Sequence, residues 1–301
     1  MIGDLRIMKN RKLLMGLFWV VGFFAMQGQQ EPNFTMYNFN LNVINPAYVS
    51  VKEHAEASIS YRSQWNGVPN APNTSVLSYV SPITDDLGFG LSVVNDEVFI
   101  MNKTDASFDL SYGLRFSNDY YIHVGLKASA SFVNLNLSEA GAPDSDGKFY
   151  ENESYVTPTF GAGVYLLHPK YYVSLSTPNA SKVERYREEP GSPDIVINYL
   201  HVYFGAGYIL EFSKNFTLTP AIMSRFVSGA TPSYDMSVTA DYMDRIKGGV
   251  NYRIDESVSL YTLFSSKHNF KFGFSYAMNI AEIAKVNTDG SLELLLRYTW
   301  D

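Results

Sequence analysis

Tyr120-Tyr-Ile-His-Val-Gly-Leu-Lys-Ala-Ser-Ala-Ser-Phe132 decides the fold. Taken every second residue, one face reads Tyr120, Ile122, Val124, Leu126, Ala128, Ala130 and Phe132. The other reads Tyr121, His123, Gly125, Lys127, Ser129 and Ser131. Successive side chains of a strand point to opposite sides, so this alternation marks a long strand with one apolar and one polar face. The pattern recurs in Ala106 to Phe116, in Phe270 to Met278 and in Leu292 to Trp300. Such runs begin near His54, Asn73, Asp86, Asn102, Tyr120, Tyr155, Lys170, Ile197, Asn215, Pro232, Arg245, Val258, Asn269 and Gly290. The spacing of roughly 20 residues matches a tilted strand of about 10 residues plus its connection, as in an outer-membrane barrel. The sequence therefore predicts an all-β fold, a closed antiparallel transmembrane barrel of about 14 strands.

The connections support closure across a membrane. Those after even-numbered strands are tight: Pro82 to Asp85, Ser117 to Asp119, His168 to Pro169, Ser213 to Lys214, Met243 to Asp244 and Lys267 to His268. Those after odd-numbered strands are expected to be longer: Gln64 to Pro72, Asp96 to Met101, Leu135 to Ser154, Pro178 to Val196 and Ile280 to Asp289. A short one near Asp255 and Glu256 breaks the rule. Short periplasmic turns opposite long outer loops are the usual asymmetry of such barrels, and an even strand number puts both termini in the periplasm. A soluble all-β protein, the competing fold, has no reason to alternate its loop lengths in this way. Composition agrees with the barrel. Only 18% of the 301 residues are charged, and 22 Tyr and 20 Phe outnumber the 23 Lys and Arg. A typical soluble surface carries more charge, while a barrel uses aromatic rings at its two lipid–water interfaces. The net charge of -7 argues against nucleic-acid binding.

The first 28 residues read as an export signal. Arg6, Lys9, Arg11 and Lys12 precede an apolar run from Leu13 to Ala25, too short for a spanning helix, and small or polar residues follow. The expected organisation is a signal peptide at 1–28, a polar-aromatic segment at 29–53 and the barrel at 54–301.

Catalytic signatures are missing. The chain has no cysteine, which removes disulfides and thiolate chemistry, and its five histidines (His54, His123, His168, His201 and His268) share no metal-ligand spacing. His54, His123 and His201 fall on inward parities. Asp144-Ser-Asp-Gly147 with Glu151 lacks the full set of a calcium loop and reads as an exposed turn; the mixed charges of Ser181 to Asp194 read as solvated. No metal, cofactor or enzymatic role is expected.

Two polar-aromatic stretches stand apart. Gln29-Gln30-Glu31-Pro32-Asn33-Phe34-Thr35-Met36-Tyr37 leads to Ile44-Asn45-Pro46-Ala47-Tyr48, and the first outer loop carries Tyr61, Arg62, Gln64, Trp65, Gly67, Ala71 and Pro72. Together with Leu87-Gly-Phe-Gly90 they resemble the PorP/SprF family of type IX secretion system outer-membrane proteins. That family has a Gln-Gln-Asp-Pro-x-Phe-Ser-x-Tyr opening, an Ile-Asn-Pro-Ala-Tyr and a Tyr-Arg-x-Gln-Trp-x-Gly. The sequence departs from it at Glu31, Thr35 and Val49-Ser-Val51. The resemblance implies a non-enzymatic outer-membrane component that assists secretion or surface attachment of particular cargo, such as gliding adhesins. It also implies that the motif residues are structural or contact a partner, and that secreted cargo and secretion machinery are the partners, with outer-membrane lipid around the wall. A general channel for small or hydrophobic solutes is the alternative the fold permits.

The segment at 29–53 carries Asn33, Asn38, Asn40, Asn42 and Asn45 beside several rings, so it needs both partners and burial. It is expected to fold back as a plug into the periplasmic half of the lumen, with Asn45-Pro46 turning the chain into strand one; a mobile leader in the periplasm is the alternative.

Overall fold

The computed structural model describes residues 34–139, 152–180, 183–185, 195–198, 200–228, 230–281 and 288–300. The expected signal peptide, Pro32 and the Asp144–Glu151 turn lie outside these residues, as does most of Ser181–Asp194.

The strands are β1 (Glu56–Ser63), β2 (Asn73–Pro82), β3 (Leu87–Val98), β4 (Met101–Arg115), β5 (Tyr121–Leu135), β6 (Glu153–His168) and β7 (Tyr171–Thr177). They continue with β8 (Val183–Arg185), β9 (Ile195–Asn198), β10 (His201–Tyr208), β11 (Leu210–Ser213), β12 (Phe216–Val227) and β13 (Ser233–Tyr242). The last are β14 (Ile246–Arg253), β15 (Ser257–Ser265), β16 (Phe270–Asn279) and β17 (Ser291–Thr299). All but β8 and β9 join one antiparallel sheet in which neighbours in sequence are neighbours in space. β10 and β11 are two halves of one stave interrupted at Ile209, and both pair with β12. The wall therefore has 14 staves. It closes where β1 meets β17, from Glu56 opposite Thr299 to Ser63 opposite Leu292. Closure gives each stave a partner on both sides, which a backbone in hydrocarbon requires.

Parity sorts the side chains as the alternation predicts. On β5, Val124, Leu126 and Phe132 face outward, with Leu126 68% exposed, while His123, Lys127 and Ser131 are buried inside. Aromatic rings gather at the rim of tight turns. Trp300 lies 4.9 Å from Tyr298 and 5.8 Å from Tyr79, and the Tyr171 ring stacks 4.5 Å from His168. An apolar ring with a polar edge suits this lipid–water boundary.

Three expectations are corrected. The connection expected at Asp96 to Met101 is a turn at Phe99 and Ile100, with Phe99 at a φ of +53°. Its polar residues extend the two strands as a ladder, Asn95 donating to Asn102 Oδ1 and Thr104 Oγ1 and Asn102 donating to Glu97. Polarity there marks strands leaving the hydrocarbon, not the end of pairing. The eighth stave begins at His201 because Ile195–Asn198 pairs with Val183–Arg185 in a separate hairpin. His54 is exposed and precedes β1, so it does not face the lumen.

Candidate functional site

Residues 34–51 run inside the barrel. They form a 3-10 turn at Tyr37–Phe39, a single helical turn at Leu41–Ile44 and a second 3-10 turn at Pro46–Val51. Short turns suit this stretch because amides compete with the backbone and Asn45 caps the last turn, its Oδ1 accepting the Ala47 N–H at 2.9 Å. Phe34 to Met36, Asn45, Ala47 and Val49 are buried, three of them with no exposed surface.

Below Asn42 the segment fits into glycines of the wall. A Cβ on Gly88 would meet the Val49 carbonyl oxygen at 2.5 Å; one on Gly125 would strike Pro46 and Ala47, and one on Gly163 would strike the Asn45 amide. The Asn45 amide donates to Val164 O at 3.1 Å and Ser174 Oγ at 2.8 Å, and Ser176 donates to Ile44 O. Ser111 donates to Ala47 O, and Ser50 Oγ lies 2.6 Å from Ser111 Oγ and 2.8 Å from His123 Nδ1. Lys127 pairs with Asp109 at 2.9 Å and reaches Asn42 O at 3.4 Å. The segment leaves at the tight-turn rim beside a cavity of about 880 Å³ lined by Lys52, Asp86, Arg115 and His123.

The other end is held by charge. Glu293 accepts the N–H groups of Thr35 and Met36 at 2.9 and 3.3 Å, Arg62 donates to Thr35 Oγ1 at 2.7 Å, and Arg253 reaches Phe34 O at 3.4 Å. Arg62 pairs with Glu293 at 3.3 Å, and Arg253 with Asp235 at 2.8 Å and Glu256 at 3.0 Å. Met36 packs with Tyr261, Leu263 and Leu295, and the Phe39 ring meets Tyr261 edge-on at 6.0 Å. Asn40 exchanges hydrogen bonds with Ser58 and Ser60.

This path is longer than the sequence suggests. Arg62 and Arg253 end their strands at the rim of long loops, so the segment spans the lumen from that rim to the tight turns. The reason is the placement of charge: the inward carboxylate and guanidinium groups that satisfy the backbone of residues 34–36 lie at the loop rim. The turn into β1 is made after Val51, not at Asn45-Pro46.

The motif residues divide into two groups. Phe34, Tyr37, Asn45, Pro46 and Ala47 are in the lumen, and Tyr48 packs edge-on against Tyr165 at 5.4 Å with the Lys52 ammonium over its ring at 5.1 Å. Arg62 joins them. Tyr61 faces outward and donates to Asn73, while Gln64, Trp65, Gly67, Ala71 and Pro72 shape the first loop. The Gln64 N–H donates to Pro72 O, the Trp65 N–H to Ser291 Oγ, and Asn73 to Ala71 O. Gly67, at a φ of +89°, follows Asn66, whose backbone pairs with Asp289 and Gly290. Sequence reading did not single out Glu293, Arg253, Asp109, Gly125 or Gly163; of the wall glycines it had only Gly88 and Gly90, through the Leu87–Gly90 motif. The signal available for them was an inward parity shared by charged residues and glycines. Among the described residues no group of His, Asp and Glu is arranged to hold a metal ion.

The barrel is similar to solved outer-membrane structures. The P. putida toluene transporter TodX is 10% identical with a TM-score of 0.51, over 87% of this chain and 94% of that one. The CymD monoaromatic hydrocarbon channel is 12% identical with a TM-score of 0.51, over 89% and 93%. A Pseudomonas aeruginosa FadL homologue is 13% identical with a TM-score of 0.49, over 91% and 96%. At these identities the likeness is one of fold. No curated protein matches the chain in sequence. The type IX secretion system membrane protein PorP/SprF family matches residues 26–298, and the chain belongs to that family.

Proposed function

We propose that this outer-membrane component of type IX secretion assists the export or surface attachment of particular cargo, such as gliding adhesins, with a lumen closed by its own residues 34–51. The observation that carries the reading is the occupancy of the lumen: the segment touches β1 to β7, β14, β15 and β17, and four wall glycines, Gly88, Gly90, Gly125 and Gly163, are shaped to it. A pore for solutes needs that space. In this reading residues 1–28 are removed on export, the tight turns and the C-terminus face the periplasm, and the long loops face outward. The polypeptide partners are cargo and secretion machinery, and the wall is surrounded by lipid.

The structural neighbours are described as a toluene transporter and a hydrocarbon channel, so solute conduction is the alternative the test must separate. A strain lacking this protein is expected to lose one surface adhesin or a small set, with nutrient uptake nearly intact, and the purified barrel is expected to be silent in a planar bilayer. Normal secretion of every type IX cargo together with loss of one solute's uptake would replace this function with a channel.

A further inference from the structure

The two ends of the lumen segment are held by different means. Around Asn45 to Val49 the wall is moulded to the chain, down to glycines that admit no Cβ. Around Thr35 and Met36 the contacts are ones that many chains could make. Glu293 receives two successive backbone N–H groups, Arg253 reaches a backbone carbonyl, and Arg62 donates to a hydroxyl. Shape enters through the apolar pocket that receives Met36, with Phe34 and Tyr37 buried in a second apolar cluster beside it.

This end is also incompletely satisfied. Glu293 has no exposed surface and Arg62 is 3% exposed. Among the described residues Glu293 Oε1 and Arg62 Nε have no protein partner. Buried charged groups short of partners favour any occupant that supplies them. Arg62 is the penultimate residue of β1 and Arg253 the last of β14, so the contacts lie toward the loop-rim end of the lumen, where they are buried against residues 34–36.

We propose that the loop-rim end of the lumen is a binding site for a bent peptide segment with a hydroxyl residue followed by a long apolar side chain, and that Thr35 and Met36 occupy it in the resting protein. The peptide exchanges for residues 34–40, while Asn45 to Val49 stay seated and keep the tight-turn half closed. This rests on the reading above in one respect, that the polypeptide served is secreted cargo; the contacts themselves do not depend on it.

The test uses the purified full-length barrel in detergent and a synthetic peptide, Phe-Thr-Met-Tyr-Asn-Phe-Asn, the sequence of residues 34–40. The chain has no native cysteine, so Met36→Cys and Asn42→Cys can each be followed with a thiol reagent. Excess peptide is expected to speed labelling at position 36 at least tenfold and to leave position 42 unchanged. A dye-labelled peptide should bind Met36→Ala, whose own occupant is weakened, at least tenfold more tightly than it binds the wild type. Glu293→Gln added to Met36→Ala should remove that gain. If Glu293→Gln loses the heat-resistant compact form on a gel, Glu293→Asp replaces it and should bind at least threefold more weakly than Met36→Ala alone. Equal effects of a scrambled peptide, no acceleration at position 36, or binding indifferent to Glu293 would each overturn the site. Because binding is read in vitro, the site can fail while the secretion role stands, and an adhesin defect can be absent while the site binds.

Discussion

The side-chain oxygen of Asn45 occupies the space that a Cβ on Gly163 would fill. An asparagine at the start of a helical turn and a glycine in a distant strand are thus one fitted pair. Gly163 lies on the inward parity of β6, where a side chain would otherwise project into the lumen.

Gly163→Val should therefore unseat the segment and leave the wall intact. The expected result is a barrel that keeps its heat-modifiable migration but labels rapidly at a cysteine placed at Asn42. Gly248→Ala is the control, since its Cβ would meet only Tyr261 O, at 3.9 Å. A Gly163→Val protein with Asn42 as protected as before would show that the fit is dispensable.

Asn45→Ala removes the donors to Val164 and Ser174 and the cap on Ala47. Leaving such buried groups unpaired should cost about 2–3 kcal/mol. The check is the guanidinium midpoint of the barrel in micelles. An unchanged midpoint would mean that the segment contributes little to stability.

Asp109→Asn leaves the Lys127 ammonium buried with only neutral partners, the new amide and Asn42 O, since the pair is almost wholly enclosed. Removing one partner of such a pair typically costs about 3–5 kcal/mol, whereas replacing both with apolar groups of similar size is often neutral. Asp109→Leu with Lys127→Met should accordingly recover most of the loss in the same denaturation assay. Equal losses in the single and double variants would contradict a buried-charge origin.

The Tyr37 hydroxyl lies beside Ser237 without a hydrogen bond of good geometry, and its ring is buried. Tyr37→Phe should change stability by less than about 1 kcal/mol, while Tyr37→Ala should lose about 3–5 kcal/mol through the cavity it opens. Guanidinium midpoints of the two variants in micelles are the check, and equal losses would mean that the ring's packing contributes nothing.

The wall was legible because alternation is local. The expected starts at Asn73, Asp86, Asn102, Tyr120, Lys170 and Asn269 fall on or beside observed strand ends. The β8–β9 hairpin was not legible, because Ile195–Asn198 carries the same short apolar signal as a stave and only its pairing distinguishes it. The asparagines of residues 33–45 mark a chain that needs polar company. Which residues answer is set by the stagger of the staves, a property of the closed sheet that no single strand encodes. Thr35 therefore finds Glu293, 258 positions away in sequence.

Arg62 and Glu293 stand directly opposite one another in the β1–β17 pairing, the seam at which the wall closes. The last stave to leave the ribosome thus carries the carboxylate that grips the first residues of the lumen segment. A chain that stops short of β17 has neither a closed wall nor an anchor for Thr35 and Met36. Closure of the sheet and capture of the lumen segment converge on one ion pair, so a wall that has not closed is marked by an untethered Thr35 and Met36.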